Sequence, residues 1–274
     1  MDNNKHNTLK SSKLKELPNL YYFPIGLLMG IADSLPGFSG STVLLLFKQY
    51  ETIMNTLSSL LRKQFFLDIL YSTQHLSFNR LIQNYNLFLL LSLFTGIGIG
   101  LFSSFFTIAT FIELYPDISN LIILIITILI TLYYIIIHRV EFKHMLKSRI
   151  SILFMLIPLS VFSTLFIALQ SIQIISSSPI LFFVSAFFAI MVMLLPGISG
   201  SLMLVLFGTY TQLKTALLEM NFILIIPFIV GIILGAILSI KYISHATTQY
   251  PLYSKYVILS LLLSAIITLS FSVM

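Results

Sequence analysis

The chain has 274 residues, 58% hydrophobic and 9% charged, with a formal net charge of +6 and a mean hydropathy of +1.01. No soluble fold of this size could bury so much apolar surface, so the composition points to an integral membrane protein without a water-soluble domain. The absence of cysteine excludes disulfides, thiolate metal sites, iron–sulfur clusters and cysteine nucleophiles. There is no tryptophan, so Tyr21, Tyr22, Tyr115, Tyr250 and Tyr253 are expected to supply the interfacial belt.

Residues 1–19 form a basic N-terminal segment with Lys5, Lys10, Lys13 and Lys15. The apolar run after Pro18 is interrupted by Pro24 and Gly26 and has no small-x-small cleavage site, which argues against a secretory signal. Residues 9–17 are expected as a short basic helix on the cytoplasmic surface. The remaining lysines and arginines are scattered over short loops, so anionic lipid heads are the expected neighbours and nucleic acid is not.

Next comes Leu35 to Tyr50, LPGFSGSTVLLLFKQY, which returns at Leu195 to Tyr210 as LPGISGSLMLVLFGTY, identical at ten of sixteen positions. Pro36-Gly37 and Pro196-Gly197 break long apolar runs, and broken backbone at membrane depth is tolerated only where it is buried in protein or lines a cavity. The segments 20–57 and 180–218 each hold two arms of roughly 14–20 residues, which fit a re-entrant hairpin better than two full spans. A polar connector, 58–85, precedes spans at 86–112 and 118–138. A linking segment, 139–179, contains a span at 150–171, and the second half, 180–274, contains spans at 221–245 and 255–273.

The repeat extends beyond the motif. Asn86 to Pro116 and Asn221 to Pro251 match at Asn86/Asn221, Gly96/Gly231, Gly100/Gly235, Ser104/Ser239, Tyr115/Tyr250 and Pro116/Pro251. The offset is 160 residues at the hairpins and 135 here, which places the extra residues of the first half in 62–85. An odd number of crossings separates the hairpins, so the second repeat is inverted. Positive charge agrees, since Arg62, Lys63, Arg80, Arg139, Lys143, Lys147, Arg149 and Lys255 share one side, and Lys214, Glu113, Asp117 and Glu219 fall on the other. The expected fold is an all-α integral membrane protein with an inverted-topology repeat, two re-entrant Pro-Gly-broken hairpins and about five full spans. Its N-terminus is expected in the cytoplasm and its C-terminus outside.

After each Pro-Gly a helix restarts with small polar residues: Ser39, Gly40, Ser41 and Thr42, or Ser199, Gly200 and Ser201. Such residues cap helix starts, and the unpartnered N–H groups of a first turn attract phosphate. Tight packing at a kink is the plainer explanation for one copy, but two inverted copies favour a binding site. Asp33 stands where the second copy has Met193, and a carboxylate at membrane depth costs about 2.5–3.5 kcal/mol on insertion scales. It is read as a proton acceptor or headgroup ligand, or as the partner of a buried cation such as Lys48. Lys48 and Glu51 lie farther along, opposite Gly208 and Thr211, where a coupling or headgroup role competes with snorkelling to the interface. His138 falls in a cytoplasmic segment, where it is expected to be solvated.

GLLMGIADSLPGFSGSTVLLLF followed by Tyr50-Glu51, with MLLPGISGSLMLVLFGTY in the second half, resembles the polyprenyl-phosphate transporter (PopT) family over nearly the whole chain. The resemblance implies a bacterial plasma-membrane protein that returns undecaprenyl phosphate from the outer to the inner leaflet. It carries over Asp33, Pro36, Gly37, Ser39, Gly40, Thr42 and Glu51, and Pro196, Gly197, Ser199, Gly200 and Ser201. The chain departs from the family in having Ser41 where glycine is usual, and Lys48-Gln49-Tyr50-Glu51-Thr52 where Gly-Ile-Tyr-Glu-Arg is usual. The lost arginine leaves Lys48 as the candidate cation for the phosphate.

A carrier of this kind needs no cofactor, with protons or sodium as coupling ions, and the lipid as its partner; homo-oligomerisation is left open. Two other classes compete. Gly37-Phe-Ser-Gly and Gly197-Ile-Ser-Gly match the GxSG pattern of rhomboid-type serine proteases, but no span carries the central histidine that such a serine needs. A transporter of another small anion would share the hairpins but would need no lateral opening to lipid.

Overall fold

The computed structural model describes residues 19–35, 38–75, 78–145, 149–169 and 178–273. The basic N-terminal helix, Pro36 and Gly37 lie outside the described residues. After a 3-10 turn, Asn19–Tyr21, the first half contains α1 (Tyr22–Ser34), α2 (Gly40–Leu46) and α3 (Tyr50–Leu60). Short helices α4 (Lys63–His75) and α5 (Phe78–Asn84) fill the connector and lead to α6 (Leu87–Leu114) and α7 (Pro116–Ile137). Then follow α8 (Arg139–Met145), α9 (Arg149–Leu169), α10 (Pro179–Met193), α11 (Gly200–Leu206), α12 (Tyr210–Leu218), α13 (Phe222–Gln249) and α14 (Pro251–Val273). Among the described residues the regular structure is entirely helical.

Windows in α6, α7, α13 and α14 are long and apolar enough to cross a membrane, and α9 is apolar over Arg149–Thr164. Large apolar side chains such as Leu91, Phe102, Leu129, Ile223 and Ile233 stand exposed along these helices. In water so much exposed apolar surface would aggregate; in hydrocarbon it is ordinary. The chain is an all-α membrane protein.

Each half begins the same way. Ser39 and Ser199 are extended (φ −122°, ψ 130° and φ −85°, ψ 127°), and each is followed by a seven-residue helix. The helix that restarts there is short, and the second arm breaks again after those seven residues. Lys48 (φ +56°) and Gly208 (φ +66°) adopt the left-handed region. Gln49 N–H donates to Leu44 O and Lys48 N–H to Leu45 O, while Thr209 and Gly208 donate to Leu204 O and Val205 O. This is the Schellman pairing, which satisfies the last carbonyls and ends a helix. The α6–α7 and α13–α14 corners also agree, with Tyr115 at φ −135°, ψ 62° and Tyr250 at φ −128°, ψ 55°. Each precedes a proline opening the next helix, a position where the α conformation is disfavoured.

In hydrocarbon, packing relies on close van der Waals approach rather than on water exclusion, and small residues allow it. α1 runs parallel to α6 with Gly26 and Gly30 against Gly96 and Gly100. A Cβ at these positions would run into the carbonyls of Leu93, Ile97, Phe23 and Leu27, respectively. α10 lies along α13 in the same way, with Gly231 and Gly235 against the Phe183 and Phe187 carbonyls. There, however, the positions matching Gly26 and Gly30 hold Ala186 and Ile190.

Contacts at the helix ends give the relative direction of α6 and α13. Tyr22 Oη, at the start of α1, donates to Gln49 Oε1 at 3.0 Å, so the hairpin returns to the level where it began. Lys48 and Glu51 line one cavity with the C-terminal end of α7, with Thr247 near the end of α13, and with Ser254 and Lys255 at the start of α14. The start of α6 and the end of α13 therefore share one end of the bundle, and the two helices run in opposite directions. Ser163 Oγ donates to Ser264 Oγ at 3.2 Å and fastens α9 to α14.

Candidate functional site

Where the two broken segments meet, the first supplies hydroxyls and the second supplies carbonyls. The Ser39 and Ser41 hydroxyls lie 2.7 Å apart and 3.1 and 3.0 Å from Met193 O; with one proton each, one donates to the other while that other donates to the carbonyl. Tyr50 Oη donates to Leu194 O at 2.9 Å. Gly197 N–H donates to Thr42 Oγ1 at 3.1 Å. Met193 ends α10, so its carbonyl and that of Leu194 belong to the group a helix leaves without internal partners. The negative end of that helix also favours donors. Ser39, Ser41 and Thr42 are 1%, 4% and 1% exposed, so these bonds form away from solvent, where an unmade one costs most.

The sequence suggested that Ser39 would cap α2. Its side chain makes no such bond. The cap comes from Asp33, whose Oδ1 accepts from Gly40 N–H at 2.6 Å. Glycine at position 40 makes room, since a Cβ there would overlap the Asp33 carboxylate and Met29 O. The expected alternative, an ion pair between Asp33 and Lys48, is absent among the described residues, because the two lie at opposite ends of α2. In the second half Ser199 and Ser201 bond each other at 2.7 Å, and Gly200 packs on Met193, which cannot accept. Gly197, at φ +91°, sits in a region open to glycine and approaches the Leu261–Leu262 backbone closely.

Lys48 and Glu51 are gathered elsewhere, in a cavity of about 270 Å³ whose walls include Tyr50, Thr52, Tyr134, His138, Thr247 and Lys255. Lys48 reaches it from a left-handed backbone that costs a lysine about 1 kcal/mol relative to glycine. Lys255 Nζ donates to Glu141 Oε1 at 2.8 Å, and Tyr256 Oη donates to Glu141 O at 3.2 Å. The Lys255 hydrogen bond is the largest influence holding the Glu141 carboxyl down to about 2. His138 was expected to be solvated. It is half-buried, edge-on to Tyr134 and 3.5 Å from Glu141 Oε1, and burial, then Lys255, lowers it below the ordinary imidazole value. Tyr22, expected at the interface, is buried, whereas Tyr115 and Tyr250 are exposed as expected.

Sequence reasoning missed Tyr50, the Met193 and Leu194 carbonyls, Tyr134 and the Glu141–Lys255 pair. Identity of Tyr50 with Tyr210 in the duplicated stretch was the available signal for the first of these. The others carry no local pattern.

Among the described residues, no group of three or more His, Cys, Asp or Glu side chains could hold a metal ion. The geometry thus combines a buried polar junction between two broken helices with a charged cavity at one end of the bundle, all inside an apolar exterior. A family model described as undecaprenyl phosphate translocase-like matches residues 29–271, a range that contains both helix breaks, the junction and the residues lining the charged cavity. No curated protein and no solved structure matches the chain. With the match running from within α1 into α14, the chain belongs to the undecaprenyl phosphate translocase-like family.

Proposed function

We propose that this protein carries undecaprenyl phosphate, or a related polyprenyl phosphate, from the outer to the inner leaflet of the bacterial plasma membrane. The observation that carries the proposal is the junction itself. Two interrupted helical segments meet at a buried cluster of hydroxyls and carbonyls, with the Asp33 carboxylate on the first of them, in a protein whose family is translocase-like. A phosphate headgroup cannot cross hydrocarbon unaided, whereas its prenyl tail is at home there. The protein need only shelter the head.

In this reading both hairpins are re-entrant, the N-terminus is cytoplasmic and the C-terminus external. Ser39, Ser41 and Thr42 hold the tips together in the empty protein. Phosphate oxygens replace the Met193 carbonyl as the acceptor for Ser39 and Ser41 when the tips part, and Thr42, released from Gly197 N–H, turns its hydroxyl to them. Gly40, Ser199, Gly200 and Ser201 complete the pocket, and Pro36, Gly37, Pro196 and Gly197 form the breaks. Asp33 couples transport to protons or sodium, and Lys48 and Glu51 meet the headgroup at the cytoplasmic end. Support for two alternating stations comes from the cavities. Glu51 and Thr52 line one, and their mates Thr211 and Gln212 line another of about 480 Å³ with Glu219 and Asn221. A serine-protease reading gains nothing from the hydroxyl partners, because the Ser39 hydroxyl lies against a carbonyl and Ser41, and neither partner is a base.

The test is surface labelling of undecaprenyl phosphate on cells depleted of the protein and then restored. Depletion should raise the external pool and restoration should lower it. An unchanged pool would move the cargo to another anion, and serine-directed fluorophosphonate labelling would reinstate the enzyme.

A further inference from the structure

The charged cavity has a composition more specific than an anion site requires. Lys48 and Lys255 line it, and Glu51 lines it with them. Among the described residues Lys255 is the partner of Glu141, while Lys48 and Glu51, three positions apart, form no ion pair. The wall thus presents two ammonium groups and a carboxylate not neutralised by Lys48. Tyr134 from α7, His138 at the end of α7 and Glu141 from α8 are further titratable groups around it. Lys48 occupies a left-handed position whose mate is Gly208, so a lysine is kept where glycine would fit with less strain. The volume, about nine waters' worth, accommodates a phosphate group with part of its hydration.

Chemistry separates two kinds of lipid headgroup here. The phosphodiester of bulk phospholipids offers acceptor oxygens and no hydrogen on phosphate. A terminal phosphomonoester, with a second pKa of about 6, offers acceptors and, when singly protonated, one P–OH donor. A carboxylate facing a diester meets only lone pairs and like charge, whereas facing a monoester it accepts a charge-assisted hydrogen bond. We propose that this cavity is a headgroup station selecting terminal phosphomonoesters over phosphodiesters, with Lys48 and Lys255 donating to the phosphoryl oxygens and Glu51 accepting from P–OH. The inference rests on the lipid-phosphate reading above and adds how the carrier lipid is told from the bulk lipid around it.

The full-length protein in phosphatidylcholine nanodiscs is titrated with a fifteen-carbon prenyl monophosphate, its methyl diester and inorganic phosphate. The monophosphate should bind about tenfold tighter than the methyl diester. Glu51→Gln should shrink that ratio to about twofold, chiefly by improving the diester. Lys48→Gly, which suits the local backbone, should weaken both lipids about tenfold without lowering the melting temperature. Equal binding of monoester and diester, or an unchanged ratio in Glu51→Gln, overturns the inference. Inorganic phosphate binding as tightly as the prenyl monophosphate would make this a site for free phosphate and overturn it too. Leaflet transport of the same prenyl monophosphate in vesicles separates the two levels. Transport without discrimination removes the station and leaves the function, whereas loss of transport removes the function itself.

Discussion

The two hairpins follow the same path with different contents. Both turn through an extended serine, both restart a helix of seven residues, and both end it with a left-handed residue and the same pair of hydrogen bonds. Yet Asp33 faces Met193 across the repeat, Lys48 faces Gly208, Glu51 faces Thr211, and the close-packing pair Gly26 and Gly30 faces Ala186 and Ile190. What the halves share are the residues that set backbone direction. What they do not share are charge and packing distance, so one shape can carry two different environments.

Packing distance gives the sharpest way to break the comparison. Placing the second repeat's residue in the first, Gly30→Ile, drives a branched side chain into the Ile97 carbonyl and the Gly100–Leu101 backbone. Backbone cannot yield as a side chain can, so the expected cost is about 3 kcal/mol or more, at the upper end for overpacking. Fluorescence-detected size exclusion should show little monodisperse protein. Gly235→Ala should cost less, because it places one methyl, rather than a branched side chain, against the Phe187 carbonyl and the Ile190 side chain. Gly98→Ala, with nothing within 4 Å of its Cβ, should be silent. If all three melt alike, close approach of α1 to α6 does not hold the first half together.

Asp33 tests whether the charge or the cap matters. Asparagine keeps an oxygen for Gly40 N–H, so Asp33→Asn should leave the melting temperature nearly unchanged and abolish carrier return in the surface-labelling assay. Asp33→Met, the second repeat's residue, should lose the cap as well, at about 1 kcal/mol. Recycling by Asp33→Asn at wild-type rates across external pH would reduce Asp33 to a structural cap. A smaller exchange concerns the left-handed turn. Gly208→Lys should cost about 1 kcal/mol in thermal stability, since it imposes on the second repeat the strain that Lys48 carries in the first. A rise in stability would mean that the turn at Gly208 gains more from a lysine's contacts than it loses in strain.

Much of this architecture is legible along the chain because its causes are local. Pro-Gly pairs break the apolar runs and apolar length selects spans, while the Gly96/Gly231 and Gly100/Gly235 matches extend the repeat; that these glycines pack helices closely within unbroken α6 and α13 comes from the structure. The junction is not legible in this way. Ser39 and Met193 are 154 positions apart, and nothing in either residue says that a hydroxyl of one will satisfy the carbonyl of the other. For Asp33 the sequence leaves a proton acceptor, a headgroup ligand and the partner of a buried cation side by side. Its carboxylate found a backbone N–H seven residues on, which a single-sequence view cannot distinguish from a buried pair. His138 was read from its neighbours in sequence, yet Tyr134 and Phe142, one turn to either side, cover its ring.

The smallest effect bears on how charge is distributed. From the sequence, Asp33, Lys48 and Glu51 make charge a property of the first hairpin. The structure adds Lys255, whose mate is Asn120, and Glu141, which belongs to neither hairpin, so most of the charge is better assigned to one end of the bundle than to one repeat. The Glu141–Lys255 bond can test this through its pH dependence. Glu141 titrates at about 2 in the folded protein against an ordinary 4.5, so its contribution is present above 4.5 and is lost as pH falls through the folded value. His138, lowered by burial, pushes the same way, because acid must charge a half-buried ring. Glu141→Gln should therefore destabilise the protein by less than about 1 kcal/mol at pH 5 and above, a small drop in melting temperature, because the pair is partly exposed. The gap from wild type should close between about pH 4.5 and 2. A gap of the same size at pH 3 as at pH 7 would mean that Glu141 acts through packing rather than charge, and the charged end would then rest on Lys48, Glu51 and Lys255 alone.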